Sequence, residues 1–201
     1  MDNEHLDCIT MRVWRSLDTN MSLGRLRAGI GSHTKPNKGI TTEWLTPPEV
    51  ISELGLFHLD PCSPINRPWD TAKVHYTRID DGLSKPWVGR VWCNPPYDQN
   101  LSQWILRMIN HGDGIMLLFA RTEIADFRML WRHADGFLFL FKRLSFYHVD
   151  GTKAKWNAGG PSVLIAFGED NSEILQKCKL EGAYLPKATI TGVLDTTIHD
   201  H

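Results

Sequence analysis

The stretch Arg90 to Ala120, RVWCNPPYDQNLSQWILRMINHGDGIMLLFA, decides the fold. Arg90 to Cys93 is a short, mostly apolar run ending on Asn94-Pro95, as a buried strand does when its last residue gives way to a loop. Leu101 to His111 places Leu101, Trp104, Ile105 and Met108 on one helical face, and Gly112 stops it. Ile115 to Ala120 is a second buried strand. Strand, helix and strand in that order predict a mainly parallel, doubly wound α/β sheet.

The alternation continues downstream with a helix near Ile124 to His133 and a strand at Phe137 to Phe141. Ser145 to Val149 and Val163 to Phe167, separated by a Gly-rich polar stretch, read as a hairpin on the sheet edge. A helix from Ser172 to Leu180 and a polar tail follow. Upstream, Thr46-Pro47-Pro48-Glu49 reads as a helix start with Thr46 as cap, and the helix runs through Leu54. Leu56 to Leu59 reads as a strand ended by Asp60-Pro61. The expected organisation is a basic, partly flexible arm over 1–40, one domain over 41–170, and a helix with a polar tail over 171–201. Between Arg12 and Lys38 lie six basic residues and one acid, Asp18. That composition suits a solvated tail or a phosphate-contacting arm.

With 201 residues and a 42% hydrophobic fraction, the chain can build one full core. Its net charge of -1 means that a polyanion must be met by a local patch. The cysteines Cys8, Cys62, Cys93 and Cys178 form no CxxC pair, which argues against a zinc site or a disulfide framework, and no metal is expected. Met1 to Asp7 carries acids where a secretory signal would carry lysines, and the longest apolar runs are too short to cross a bilayer. A reducing cytoplasm is the simplest setting.

In an open parallel sheet, ligands bind beyond the carboxyl ends of the strands, where Asp60 and Asn94 are both expected. Asn94-Pro95-Pro96-Tyr97 suits the methylation of a planar amine. The lone pair of such an amine is delocalised into its ring, so two hydrogen-bond acceptors are needed to hold its two hydrogens while a methyl approaches. The Asn94 side-chain oxygen supplies one, and the Pro95 carbonyl can supply the other. Pro95 and Pro96 stiffen the loop and remove N–H groups that would compete for the Asn94 oxygen. A base inside a duplex must be rotated out to reach this loop, and Tyr97 offers a ring on which to stack it.

These residues resemble the phage-type DNA N6-adenine methyltransferases, the Dam-like family. The resemblance covers about Thr41 to Gly168. It rests on Thr41-Thr42-Glu43-Trp44 with Thr46-Pro47, on Leu59-Asp60-Pro61-Cys62, on Asp81-Gly82-Leu83 with Trp87, and on Val91 to Tyr97. Leu117 to Thr122 and Arg143-Leu144-Ser145-Phe146 extend it. The resemblance implies a Rossmann-like methyltransferase fold, S-adenosylmethionine as methyl donor and adenine in double-stranded DNA as acceptor. It implies that Asp60, with Pro61, meets the methionine or ribose end of the donor, that Asp81 reads the donor's adenine amine, and that Thr46 and Pro47 line the methionine side.

Asp60 also reads as a loop cap, and Asp80 or Asp81 as a turn before Gly82. The loop after Asp60 lacks the glycine-rich turn common in methyltransferases. Arg121, Arg143, Lys153 and Lys155, with Lys142, are candidate phosphate contacts or solvated surface charge. Phe146 and Trp156 are candidate base contacts or core. The motif specifies an amine and not its owner, so cytosine N4, an RNA base and a protein glutamine stay open as acceptors. A non-catalytic DNA-binding relic of the fold stays open too. Recognition sequence and oligomeric state are not encoded in any periodicity.

Overall fold

Strand formation follows the apolar runs, and one sheet collects them all. The computed structural model describes residues 43–155 and 158–189; the basic segment 12–38, Trp156 and the chain beyond 189 lie outside them. Seven strands are present: β1 (Leu59–Asp60), β2 (Val74–His75), β3 (Val91–Cys93), β4 (Gly114–Phe119), β5 (Gly136–Leu140), β6 (Ser162–Phe167) and β7 (Gly182–Pro186). They lie in the order β2-β1-β3-β4-β6-β5-β7. The pairings β1 with β2, β1 with β3 and β3 with β4 are parallel, whereas β6 runs antiparallel between β4 and β5, and β7 antiparallel beside β5. The architecture is a mixed α/β sheet compatible with a Rossmann-like fold.

Helices cover both faces. Helix α1 (Pro48–Leu54) and α4 (Glu169–Lys177) bury Val50, Leu54 and Leu175 against Trp92, Ile115, Leu117, Leu138 and Leu164. Helices α2 (Leu101–His111) and α3 (Ala125–His133) bury Trp104, Ile105, Met108, Phe127 and Leu130 against Val91, Cys93, Met116, Phe137 and Ile165. Residues that alternate along β4 thus serve opposite faces, the period of two that a strand imposes. Gly112 ends α2 at φ +74°, and its N–H donates to the Met108 carbonyl at 2.9 Å, the left-handed cap that glycine favours. Among the described residues no helix is long and apolar enough to cross a membrane.

Three expectations need correction. Val163 to Phe167 is not half of an edge hairpin: all six residues of β6 are buried, because neighbours on both sides and helices on both faces enclose it. Ser145 to Val149 instead turns back on its own loop, with Ala154 N–H donating to the Phe146 carbonyl and His148 N–H to the Thr152 carbonyl. It also pairs with Leu45, through Leu45 N–H to Tyr147 O at 2.9 Å and Tyr147 N–H to Leu45 O at 3.0 Å. The expected polar tail after the last helix is a strand at Gly182–Pro186. Finally, Thr46 does not cap α1. Pro47 occupies the cap position without a side-chain bond, and the Thr46 hydroxyl is used elsewhere.

The central place of β6 is testable. Ile165→Asn removes a wholly buried side chain and strands an amide in hydrocarbon. Lost burial and an unpaired polar group together should cost roughly 3–6 kcal/mol in urea unfolding. A half-exposed edge strand would tolerate the change with under about 1 kcal/mol lost.

Candidate active site

The parallel register of β1 on β3 sets Leu59 opposite Val91, so the loops after Asp60 and Cys93 leave the sheet side by side. Between them and the segment 44–46 opens a cleft lined by Trp44, Thr46, Asp60, Arg67, Thr71 and Asn94, among others. Of the residues singled out from sequence, Thr46, Asp60 and Asn94 meet in this one place.

Asp60 is 4% exposed. Its carboxylate accepts hydrogen bonds from the Thr71 hydroxyl and, at 3.1 Å, from the Cys62 N–H. Burial pushes its pKa up to about 6, and the two hydrogen bonds and the Arg67 charge only partly oppose that rise. Each carboxylate oxygen carries one of these bonds and has a second lone pair to spare. The loop between β1 and β2 that supplies Thr71 is itself built around His75, whose Nε2 accepts from both the Thr71 and Ala72 N–H at 3.3 Å. Burial lowers the pKa of His75, in keeping with a neutral ring that accepts at that nitrogen.

Asn94 follows the last residue of β3 and is half-buried. Its Nδ2 donates to the Thr46 Oγ1 at 3.3 Å, which turns the amide so that Oδ1 carries no hydrogen bond from a described residue. Thr46 is held in turn: it is 2% exposed, and the Trp69 indole N–H donates to its carbonyl at 3.2 Å. Pro47, Pro61 and Pro95 are buried and Pro96 is exposed, so the prolines brace the strand exits without lining the cleft.

Tyr97 is 46% exposed and stands outside the cleft lining. Its hydroxyl accepts from the Phe119 N–H at 2.6 Å, and its ring stacks on Phe119 with centroids 4.6 Å apart. Arg121 places its guanidinium 5.9 Å from the same Phe119 ring and is exposed. Arg143, Lys153 and Lys155 are exposed too and do not line the cleft, while Lys142 pairs with Glu181 at 2.5 Å. Phe146 packs against the core on the α1 and α4 face.

Asp80 and Asp81 separate cleanly. The Asp80 carboxylate accepts from the Thr77 N–H and hydroxyl, both at 2.8 Å, and these bonds lower its pKa: it is the turn former. Asp81 has φ +55° and is exposed, with no hydrogen bond to its carboxylate from a described residue. The next residue explains why this turn is so tight. A Cβ on Gly82 would stand 1.9 Å from the Pro61 carbonyl oxygen, and the Trp87 indole N–H donates to the Gly82 carbonyl at 2.8 Å. The close backbone approach that the loop after Asp60 cannot make with a glycine of its own is made by Gly82 from a different turn.

Reasoning from sequence missed Arg67, Thr71, Trp44 and His75 as parts of this site. For Arg67 and Thr71 the signal is that Arg67-Pro68-Trp69-Asp70-Thr71 follows the first strand-exit acid within a dozen residues, and loop residues have no period to read.

The raised Asp60 pKa makes a stability prediction with a definite sign. Between about pH 4 and 6 the folded carboxyl holds a proton that the unfolded one has lost, so folding weakens as pH rises through that window. The rise corresponds to about 3 kcal/mol. On going from pH 4 to pH 7.5, Asp60→Asn should gain up to that amount relative to the wild type in urea unfolding. A constant difference across the range would show that Asp60 titrates normally.

No curated protein and no solved structure matches the chain. A protein-family model does: the one described as DNA N-6-adenine-methyltransferase (Dam) matches residues 31–181, well over half of the 201 residues and inclusive of every cleft residue named above. The chain belongs to the Dam family of DNA N-6-adenine methyltransferases.

Proposed function

We propose that the cleft transfers a methyl group from S-adenosylmethionine to the N6 amine of adenine in double-stranded DNA, on a Rossmann-like methyltransferase fold. The observation that carries this reading is the Asn94 amide, held through Nδ2 by Thr46 in the same cleft as the buried Asp60 carboxylate. Membership of the Dam family supports it.

The residues present fit the donor. Asp60 offers two unused lone pairs in a half-enclosed space, and a cationic or hydroxyl group there would relieve the cost of its burial. The charged and polar lining of the cleft suits the amino-acid end of the donor. The exposed Asp81, beside Pro61 by way of Gly82, is the acid for the donor's adenine amine. Thr46 and Pro47 wall the methionine side. The bound donor supplies an electrophilic sulfonium methyl.

Asn94 Oδ1 and the Pro95 carbonyl then hold the two hydrogens of the adenine amine and draw its lone pair out of conjugation with the ring. Because Thr46 has already turned the Asn94 amide, no reorganisation is needed when the base arrives. Tyr97 has one face on Phe119 and is nearly half exposed, which leaves ring surface for a base rotated out of the duplex. Arg121, Arg143, Lys153 and Lys155 contact phosphates at the rim. The working protein is placed in the cytoplasm of a bacterial cell, where a phage enzyme would meet DNA.

Sequencing of modified bases in DNA from cells that express the protein tests the acceptor and its context together. N6-methyladenine in one sequence context is expected; methylated cytosine, or label from the donor entering only RNA or protein, would reassign the acceptor. Asn94→Ala should abolish transfer while donor binding by calorimetry stays within about twofold, since the amide serves the acceptor; wild-type turnover would remove Asn94 from the chemistry. Tyr97→Ala should weaken capture of the target base by about 1–3 kcal/mol, read as a rise in KM for DNA.

A further inference from the structure

The cleft wall holds a cation that neither the strand exits nor the asparagine loop accounts for. Arg67 lies in the loop between β1 and β2, its side chain 23% exposed. Its Nε donates to Asp70 Oδ1 at 3.2 Å and its Nη1 to the Pro64 carbonyl at 3.3 Å. These two bonds hold the guanidinium plane, and Nη2 donates to no described residue. The side chain lines the same cleft as Asp60, and its charge lies close enough to oppose the rise in the Asp60 pKa. Asp70 is largely exposed and meets the guanidinium at Nε.

One cleft therefore presents a buried carboxylate, Asp60, and a preorganised guanidinium edge, Arg67. An anion beside Asp60 alone would be repelled, and a cation beside Arg67 alone likewise. A ligand that carries both charges on groups joined to one carbon satisfies both, and an α-amino acid zwitterion is such a group. We infer that Arg67 binds the α-carboxylate of the donor's methionine end while Asp60 takes its α-ammonium. This rests on the donor reading above and adds the residue that anchors the anionic half. Arginine suits the task because its planar fork keeps its charge at all working pH values and meets carboxylate oxygens with directed N–H groups.

The consequence is discrimination by charge. The protein should bind S-adenosylhomocysteine better than the same molecule without its carboxylate, S-adenosyl-3-thiopropylamine, and better than 5′-methylthioadenosine, which lacks the amino-acid portion. A charge-assisted hydrogen bond of this kind is worth about ten- to a hundredfold in affinity.

Calorimetry of the full chain with the three compounds tests the assignment. Arg67→Gln should weaken S-adenosylhomocysteine by about ten- to a hundredfold and leave the other two within about twofold, so that the preference for the carboxylate disappears. Arg67→Lys should restore part of the preference. Asp70→Asn removes the ion pair but keeps the guanidinium, and it should retain the preference, which separates carboxylate binding from loop building. Equal weakening of all three compounds by Arg67→Gln, or none, overturns the assignment while leaving the donor reading intact. Failure of the wild type to bind S-adenosylhomocysteine at all overturns the donor reading and the assignment together.

Discussion

Leu59 pairs with Val91 in parallel, and everything chemical in this molecule depends on that register. It brings the exits of β1 and β3 together so closely that the Cys62 and Cys93 sulfurs stand 3.8 Å apart. Asp60 and Asn94 then open into the same space, one as a buried charge and the other as an oriented amide. A slip by one residue would turn Asp60 to the other face of the sheet and dissolve the cleft. Burial of a carboxylate is unfavourable, and the fold tolerates it through Thr71, the Cys62 N–H and the nearby charge of Arg67. The loop that carries Thr71 and Arg67 is thus a condition of the site and not a mere connection.

The segment before α1 links the two halves of the cleft. Thr46 is a good residue to start a helix, yet its hydroxyl meets the Asn94 amide and the helix begins on Pro48 without a side-chain cap. A proline at the first helical position needs no donor there, so the loss is small. The threonine is released to orient the amide. The same segment pairs with Tyr147, and Gly151 packs on Pro68, so the loop after β5 is tied to the loop after β1 across this strip of chain.

Helix α2 and its glycine cap were legible because a helix with one buried face writes its period into the sequence, and β3, β4 and β5 because short apolar runs between turn residues leave few alternatives. Strand β2 was not, since it is only two residues long and its one apolar residue, Val74, is exposed. Strand β7 was missed for a related reason: as an edge strand it is only partly covered, and Gly182 and Pro186 at its ends mimic a tail. The supposed hairpin failed differently. The run from Val163 to Phe167 is continuously apolar, which signals a strand buried on both faces, and its partners are not Ser145 to Val149, the nearest candidate in sequence, but β4 and β5, which lie earlier. In the cleft, the placement of Asp60 and Asn94 was legible because both follow directly from strand exits. Arg67 and His75 depend on how one irregular loop folds back, which no local pattern encodes.

Tyr97 shows how rigidity is distributed around the cleft. A ring meant only for packing would be covered, and one meant only to catch a base would gain nothing from anchoring its hydroxyl. Here the hydroxyl is held by the Phe119 N–H and one face by the Phe119 ring, while nearly half the side chain stays exposed. The side chain has therefore given up its rotamer freedom during folding, so a base that stacks on it has less ordering to supply. Two consecutive prolines do the same for the backbone between Asn94 and Tyr97. The loop from Asn94 to Tyr97 is preset by β3 and β4 together, and the facing wall of the cleft by one loop whose shape hangs on His75 and Asp60.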